Sequence, residues 1–401
     1  MGDIGERERP PVVALEGGAL GPNVIDAAWL KRQRPDSPLV HKLIREASHS
    51  VKDLSDIRAS FRDQLVVVLS SLFVAGSFIW FPIVCYRLYR SCETKEQKRI
   101  FWFCVIAIVA SLYFTNASRR ARRWSLWGSW MRYLKMSLVV EELHKHYPPK
   151  KEDPPKIFAS VPHGIYPFGQ ALSLTGGFVN VLGRLRPVTA SAALHVPIFG
   201  HLLRLVDAVP ATKEEVLKGL EERGDRPLLL LPGGIAEMFD AAPAAIQPKK
   251  GGAARKTSAQ QTEGIAPPGS EAEGGIEVAR VRGRKGFLRL AIQKGASVVP
   301  VFVFGNSRLW RLLPFGGSLL KRLSRTLRVS LVAFVGRWGL PVPLRYPVMT
   351  VVGRPLEVTK SEHPSEKEVD ALSERFVEEI GRLFEEYKGF YGWGGRKLVV
   401  K

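Results

Sequence analysis

The tripeptide Pro162-His163-Gly164 sets an imidazole directly after the apolar run KIFASV and before the aromatic, glycine-bearing stretch IYPFG. Proline fixes the backbone on one side and glycine permits close approach on the other, the setting of a positioned general base. A turn holding a hydrogen-bonded structural histidine fits the same three residues. Downstream, LLLLP runs into Gly233, Gly234 and then Glu237. The two glycines offer unobstructed backbone N–H groups to an oxyanion or a phosphate, or simply turn the chain at the end of a strand. Glu237 is a candidate for the carboxylate that orients a base, and equally for an acid favoured by a helix N-terminus. Arg284 and Lys285 precede a helical pattern that opens at Gly286, so two side-chain cations and a helix N-terminus converge where an anion would be favoured. A solvated basic turn is the plainer alternative. His195 and His201 lie on an apolar, helix-like stretch and read as structural or lipid-facing. Nothing has the spacing of a metal cluster or a Walker loop.

The elements around these residues alternate. KIFASV at 156 to 161, LLLLP at 228 to 232 and SVVPVFVFG at 297 to 305 read as strands, the last two as buried ones. Between them, 213 to 223 carries Val216, Leu217 and Leu220 on one helical face, and 286 to 294 carries Phe287, Leu290 and Ala291. Ser365 and Glu368 form a capping box before an amphipathic helix bearing Val369, Leu372, Phe376, Ile380, Leu383 and Tyr387. The alternation predicts an α/β fold with a mixed, mainly parallel sheet flanked by helices, beginning at Lys156.

Ahead of that domain lie two uncharged runs, Leu65 to Tyr86 (22 residues) and Ile100 to Ala117 (18 residues). At 1.5 Å per residue the first spans the hydrocarbon of a bilayer, roughly 30 Å. A membrane hairpin is expected over 65–117, rather than a buried helix pair of a soluble core. The cluster Arg119, Arg120, Arg122 and Arg123 places the following residues, and hence both termini, in the cytosol. The loop between the runs is itself basic, which fits a lumenal side poorly and keeps a re-entrant hairpin open. Trp124, Trp127, Trp130 and Tyr133 then suggest, within residues 118–155, a helix lying along the membrane interface.

Residues 1–64 are polar and charged and are expected to be largely disordered, as is the Gly/Ala/Pro/Lys-rich insertion 241–275. A basic apolar segment, 319–346, either skims the membrane or packs on the domain. Lys and Arg number 59 against 38 Asp and Glu, a net charge of +21 that favours anionic partners without choosing among lipid headgroups, nucleic acid and phosphorylated cofactors. The three cysteines, Cys85, Cys92 and Cys104, have no CxxC spacing and argue against a disulfide scaffold or a zinc site.

The order of the blocks SVPHGIYPFG, HVPIFGHLLR, LLLLPGGIAEMF, GRKGFLRLAIQKGASVVPVFVFG and YPVMTVVGRPLEV after a hydrophobic hairpin resembles the type-2 diacylglycerol acyltransferase family over roughly residues 65 to 390. The resemblance implies a membrane-embedded enzyme with a glycerolipid-acyltransferase-like fold. It would move a fatty acyl group from acyl-CoA, a co-substrate, onto diacylglycerol, with no cofactor and no metal. It implies His163 as the base acting on the acceptor hydroxyl; beside it Glu237 is the candidate orienting acid, and Pro162, Gly164, Gly233 and Gly234 are the candidate motif and oxyanion support. Arg284, Lys285 and Gly286 are then expected at the CoA phosphates, and the address is the endoplasmic reticulum membrane or lipid droplet. Monoacylglycerol or a long-chain alcohol as acceptor, a lysophospholipid acyltransferase, and a non-catalytic basic membrane-binding protein stay as alternatives, and a homo-oligomer is left open. The chain departs from the family's pattern at four places. Val161 replaces a first histidine, Phe168 stands where an H-x4-D enzyme holds its aspartate, Asn306 replaces the glutamate usual after FG, and the insertion before RKGF is long.

Overall fold

The computed structural model describes residues 14–15, 18–19, 24–32, 34, 59–221, 224–238, 275–313 and 334–401. Most of 1–64, the insertion up to residue 274, and residues 319–333 of the basic segment lie outside the described residues. Gly275, at the end of the expected insertion, is described, and its carbonyl accepts from the Lys397 N–H.

Continuous apolar runs become the central strands, because a strand covered on both faces has no place for alternating polar residues. Strands β3 (Lys156–Val161), β6 (Leu228–Leu230) and β8 (Ser297–Phe304) form from the three runs singled out above. With β1 (Val24–Asp26), β2 (Ser137–Val140), β4 (Arg186–Thr189), β5 (Val209–Pro210) and β9 (Met349–Val352) they make an eight-stranded sheet in the order β1-β2-β9-β8-β3-β6-β4-β5. Among these pairings, β8–β9 is the antiparallel one and the rest are parallel. A side ladder joins β7 (Ile276–Ala279) to β10 (Lys397–Val400) in parallel. The α/β, mainly parallel expectation therefore holds, while β1 and β2 show that the sheet draws on chain well ahead of Lys156. Val24–Asp26 is part of the region expected to lack order, and here it closes one edge of the sheet.

Successive side chains of β8 point to opposite faces and meet different layers. Phe302 and Phe304 pack on Phe384 of the long C-terminal helix α10 (Glu366–Tyr391), with ring centroids 5.3 and 5.9 Å apart. Val303 faces the short helix α5 (Phe168–Ser173), whose Gly169 comes so close that a Cβ there would lie 2.5 Å from Val303 Cγ1. Helix α10 starts at the expected capping box, the Ser365 N–H donating to Glu368 Oε2 at 2.7 Å. Helix α9 (Gly286–Lys294) begins and ends where the sequence places it. Helix α7 (Lys213–Leu220) stops a turn earlier than its pattern.

The hydrophobic hairpin departs from two straight spans. Its first run is split into α1 (Phe61–Val74) and α2 (Ser77–Ser91), which are bent by 59° at Ala75–Gly76. The second run, α3 (Lys95–Phe114), is a 20-residue helix long and apolar enough to cross a membrane, and its Phe103 and Ile106 are 73% and 63% exposed. Helix α1 is tied down: Asp63 pairs with Arg132 at 2.6 Å, Ser71 Oγ donates to the Pro341 carbonyl, and Ser70 Oγ accepts from Trp130 Nε1 at 3.0 Å. Helix α4 (Ser125–Tyr133), in the segment expected along the interface, buries Trp130, Met131 and Tyr133 against the domain, and Trp124 just ahead of it is exposed. The sequence shows the amphipathic period but not which medium its apolar face meets.

Candidate active site

Strands β8, β3 and β6 are neighbours running in one direction, so their carboxyl ends open at the same edge of the sheet. In open α/β sheets that edge is where loops from adjacent strands converge on a ligand. Here it gathers His163 from the end of β3, Asn306 from the turn that follows β8 and Glu237 from the short helix Ile235–Met238 after β6.

His163 sits in a loop held at its two backbone groups. Its N–H donates to Glu237 Oε2 at 2.6 Å, and its carbonyl accepts from Asn306 Nδ2 at 2.6 Å. The carbonyl of the preceding residue, Pro162, accepts from Gln170 Nε2 at 2.9 Å, and the Val161–Pro162 peptide is cis. The ring is oriented by its own chain, since Nδ1 lies 2.7 Å from the Gly164 carbonyl oxygen. A carbonyl only accepts, so Nδ1 carries the proton and Nε2 keeps the lone pair. Burial disfavours the imidazolium and pulls the His163 pKa below its ordinary 6.5, against a smaller opposing effect of the Gly164 bond. The ring is neutral at pH 7 and presents an acceptor nitrogen.

Gly164 takes a left-handed φ of +66°, and a Cβ there would meet Asn306 Nδ2 at 2.8 Å. Only glycine fits both demands. The aromatic residues after it make a wall: Tyr166 and Phe168 contact Trp310 with centroids 5.8 Å away, and Phe168 stacks on Trp130 at 4.7 Å. Phe168 thus joins the histidine loop to α4, and through Trp130 and Ser70 to the hydrophobic hairpin.

The remaining candidates fall as follows. Glu237 is 2% exposed and reaches His163 through the backbone N–H, not the imidazole; its other oxygen accepts from the Arg280 N–H at 2.6 Å. It bridges the histidine loop to the segment leading to Arg284, which the sequence did not foresee. Gly233 makes room for that carboxylate, as a Cβ there would lie 2.0 Å from its carboxyl carbon. The Gly234 N–H is engaged with the Leu231 carbonyl at 3.2 Å. Lys285 pairs with Asp370 on α10, while Arg284 is exposed at the approach to α9, which opens at Gly286. The structure gives Arg284 no side-chain partner among the described residues. His201, read as structural or lipid-facing, accepts from the Ile198 N–H at 3.1 Å through Nδ1 and contacts Ser111 on α3 at 2.8 Å through Nε2. Among the described residues no His, Cys, Asp and Glu group has the make-up of a metal site. Two carboxamides, Asn306 and Gln170, carry much of the loop's geometry. In the sequence Asn306 stands out only as a departure after FG, and Gln170 gives no signal.

The family model described as diacylglycerol acyltransferase matches residues 97–249 and 264–401. Diacylglycerol O-acyltransferase 2 of Danio rerio is 26% identical over 87% of this chain and 92% of that protein. 2-acylglycerol O-acyltransferase 1 of Bos taurus is 26% identical over 73% of this chain and 83% of its own length. Among solved structures, the 1-acyl-sn-glycerophosphate acyltransferase PlsC of Thermotoga maritima covers 80% of this chain and 97% of that one at 13% identity, with a TM-score of 0.34.

Proposed function

The chain belongs to the diacylglycerol acyltransferase family, and from that premise we propose that it esterifies diacylglycerol to triacylglycerol with acyl-CoA, His163 acting as the general base. The observation that carries the reading is the 2.7 Å contact of Nδ1 with the Gly164 carbonyl, which leaves Nε2 as a neutral acceptor at the carboxyl edge of the sheet.

A lipid hydroxyl is a weak nucleophile, and its attack on a thioester needs a base for its proton and a polar setting for the oxyanion. In the proposed reaction Nε2 takes the hydroxyl proton as the oxygen adds to the thioester carbonyl. The tetrahedral intermediate collapses, the C–S bond breaks, and the imidazolium returns the proton to the departing CoA thiolate. The Nδ1–H bond to Gly164 keeps the ring in the tautomer this requires, doing with a carbonyl what a carboxylate does in a Ser-His-Asp triad. Phe168, in the position of an H-x4-D aspartate, is committed to stacking on Trp130, which weighs against a lysophospholipid acyltransferase.

The exposed apolar faces of α3 and of the bent α1–α2 pair support attachment to a membrane, the endoplasmic reticulum or a lipid droplet surface, where the acceptor is dissolved. Arg284 beside the opening of α9 suits a CoA phosphate. Monoacylglycerol is the second reading, favoured by the bovine 2-acylglycerol relative, which is as similar in identity as the zebrafish one. Purified protein given labelled acyl-CoA with diacylglycerol, monoacylglycerol or a long-chain alcohol separates them. Triacylglycerol as the dominant product supports the proposal, and ester formed only from the other acceptors contradicts it.

A further inference from the structure

Asn306 is 0% exposed and sits at the carboxyl end of β8, beside the strand that delivers His163. Its one carboxamide touches the histidine loop at three points. Nδ2 donates to the His163 carbonyl at 2.6 Å and approaches the Tyr166 carbonyl at 3.4 Å, while Oδ1 accepts from the Gly169 N–H at 3.0 Å. Residues 163, 166 and 169 are thereby held to a single group in the turn just beyond a neighbouring strand. Both ends of the amide are specified, because carbonyls only accept and an N–H only donates. The same side chain also abuts Gly164, whose carbonyl orients the imidazole.

We propose that Asn306 is a positioning residue for His163, its carboxamide setting the loop so that the His163–Gly164 bond directs Nε2 at the acceptor hydroxyl. The proposal rests on His163 being the base. It goes beyond that reading by naming what fixes the base, and by assigning the task to a neutral donor-acceptor pair at a position where a carboxylate would face two carbonyl oxygens. A displacement of about 1 Å at a reacting group is enough to lower a rate by roughly two orders of magnitude, so loss of this clamp is expected to act on turnover more than on substrate binding.

Asn306→Asp is the decisive variant. It is isosteric and keeps the acceptor to Gly169, but when ionised it presents an oxygen to the His163 and Tyr166 carbonyls. Protonated, it regains one donor. A buried carboxyl facing carbonyls holds its proton well above the usual carboxylate range. Turnover of Asn306→Asp should therefore be about 10- to 100-fold below wild type at alkaline pH and recover as pH falls. The wild-type curve, rising to a plateau, then becomes a bell. The KM for acyl-CoA should change little.

Kinetics are to be measured from about pH 5 to pH 9 on detergent-purified wild type, Asn306→Asp and His163→Gln. A bell for Asn306→Asp with His163→Gln inactive supports the proposal. Wild-type turnover of Asn306→Asp across the range, or a loss that does not depend on pH, overturns it while leaving the base intact. Active His163→Gln overturns the base itself and is read separately. Should Asn306→Asp fail to accumulate, Asn306→Ser replaces it: a lower kcat with unchanged KM supports the clamp, and full turnover overturns it.

Discussion

The carboxylate of Glu237 accepts the backbone N–H of His163 at 2.6 Å and, through its other oxygen, the N–H of Arg280. It pins the histidine loop to the approach of α9 instead of bonding the imidazole. Glu237→Gln keeps the shape but turns an NH2 toward one of two backbone N–H groups, leaving a buried donor unpaired at a cost of about 1–3 kcal/mol. Turnover should fall roughly 10- to 100-fold, the fold-change of a misplaced loop. The midpoint of the pH–rate curve should stay in place, because Glu237 is not among the groups setting the His163 pKa. A pH series on this variant checks the point; a midpoint displaced toward acid would show direct stabilisation of the imidazolium.

Gly164→Ala combines a left-handed backbone with a Cβ 2.8 Å from Asn306 Nδ2. The conformation alone costs roughly 1–2 kcal/mol, and the overlap pushes apart the two groups that set the ring. Activity should drop by more than 10-fold while thermal denaturation shows only a modest loss. Near-normal turnover would mean that the loop tolerates displacement.

Burial holds the His163 pKa below 6.5 in the folded protein. The rate should rise with pH along a limb whose midpoint lies below that value and stay flat above it. Stability follows the same sign: the unfolded chain takes up the proton more readily, so His163 contributes stability above about pH 6.5 that is lost as pH falls toward the folded pKa. Unfolding midpoints compared for wild type and His163→Gln across this window should converge on acidification.

Arg284, exposed before α9, is expected to meet a CoA phosphate. Arg284→Ala should raise the KM for acyl-CoA about 3- to 10-fold, an effect that shrinks as salt is added, and leave kcat nearly unchanged. Lys285→Ala should do less, since Lys285 is paired with Asp370. Titrating acyl-CoA at two ionic strengths distinguishes them.

Alkaline carbonate should leave the full chain in the membrane pellet, held by the apolar faces of α1–α2 and α3. Complete release would contradict the membrane assignment.

The strands that carry the site were legible because they are continuous apolar runs ending in turn residues: KIFASV before Pro162, LLLL before Pro232, SVVPVFVF before Gly305. The helices α9 and α10 were legible from their period and, for α10, its capping box. Strand β2 was not, since Ser137–Val140 is a four-residue run whose pairing partner, Met349–Val352, lies far along the chain. Composition likewise showed one apolar run from Leu65 to Tyr86, but not the 59° bend at Ala75–Gly76, which depends on what α1 packs against. At the site, residue types revealed His163 and Glu237 as chemically able. Which atom of His163 meets Glu237, and that Asn306 closes the loop, are facts of strand order that no local pattern encodes.

The most direct measurement is turnover of His163→Gln with acyl-CoA and diacylglycerol at neutral pH. Glutamine keeps a polar side chain of similar reach but takes up no proton there, so kcat should fall by roughly 10²- to 10⁴-fold, as in His163→Ala, with acyl-CoA binding and protein yield near wild type. Near-wild-type kcat in His163→Gln would show that another group removes the proton and would contradict the central claim.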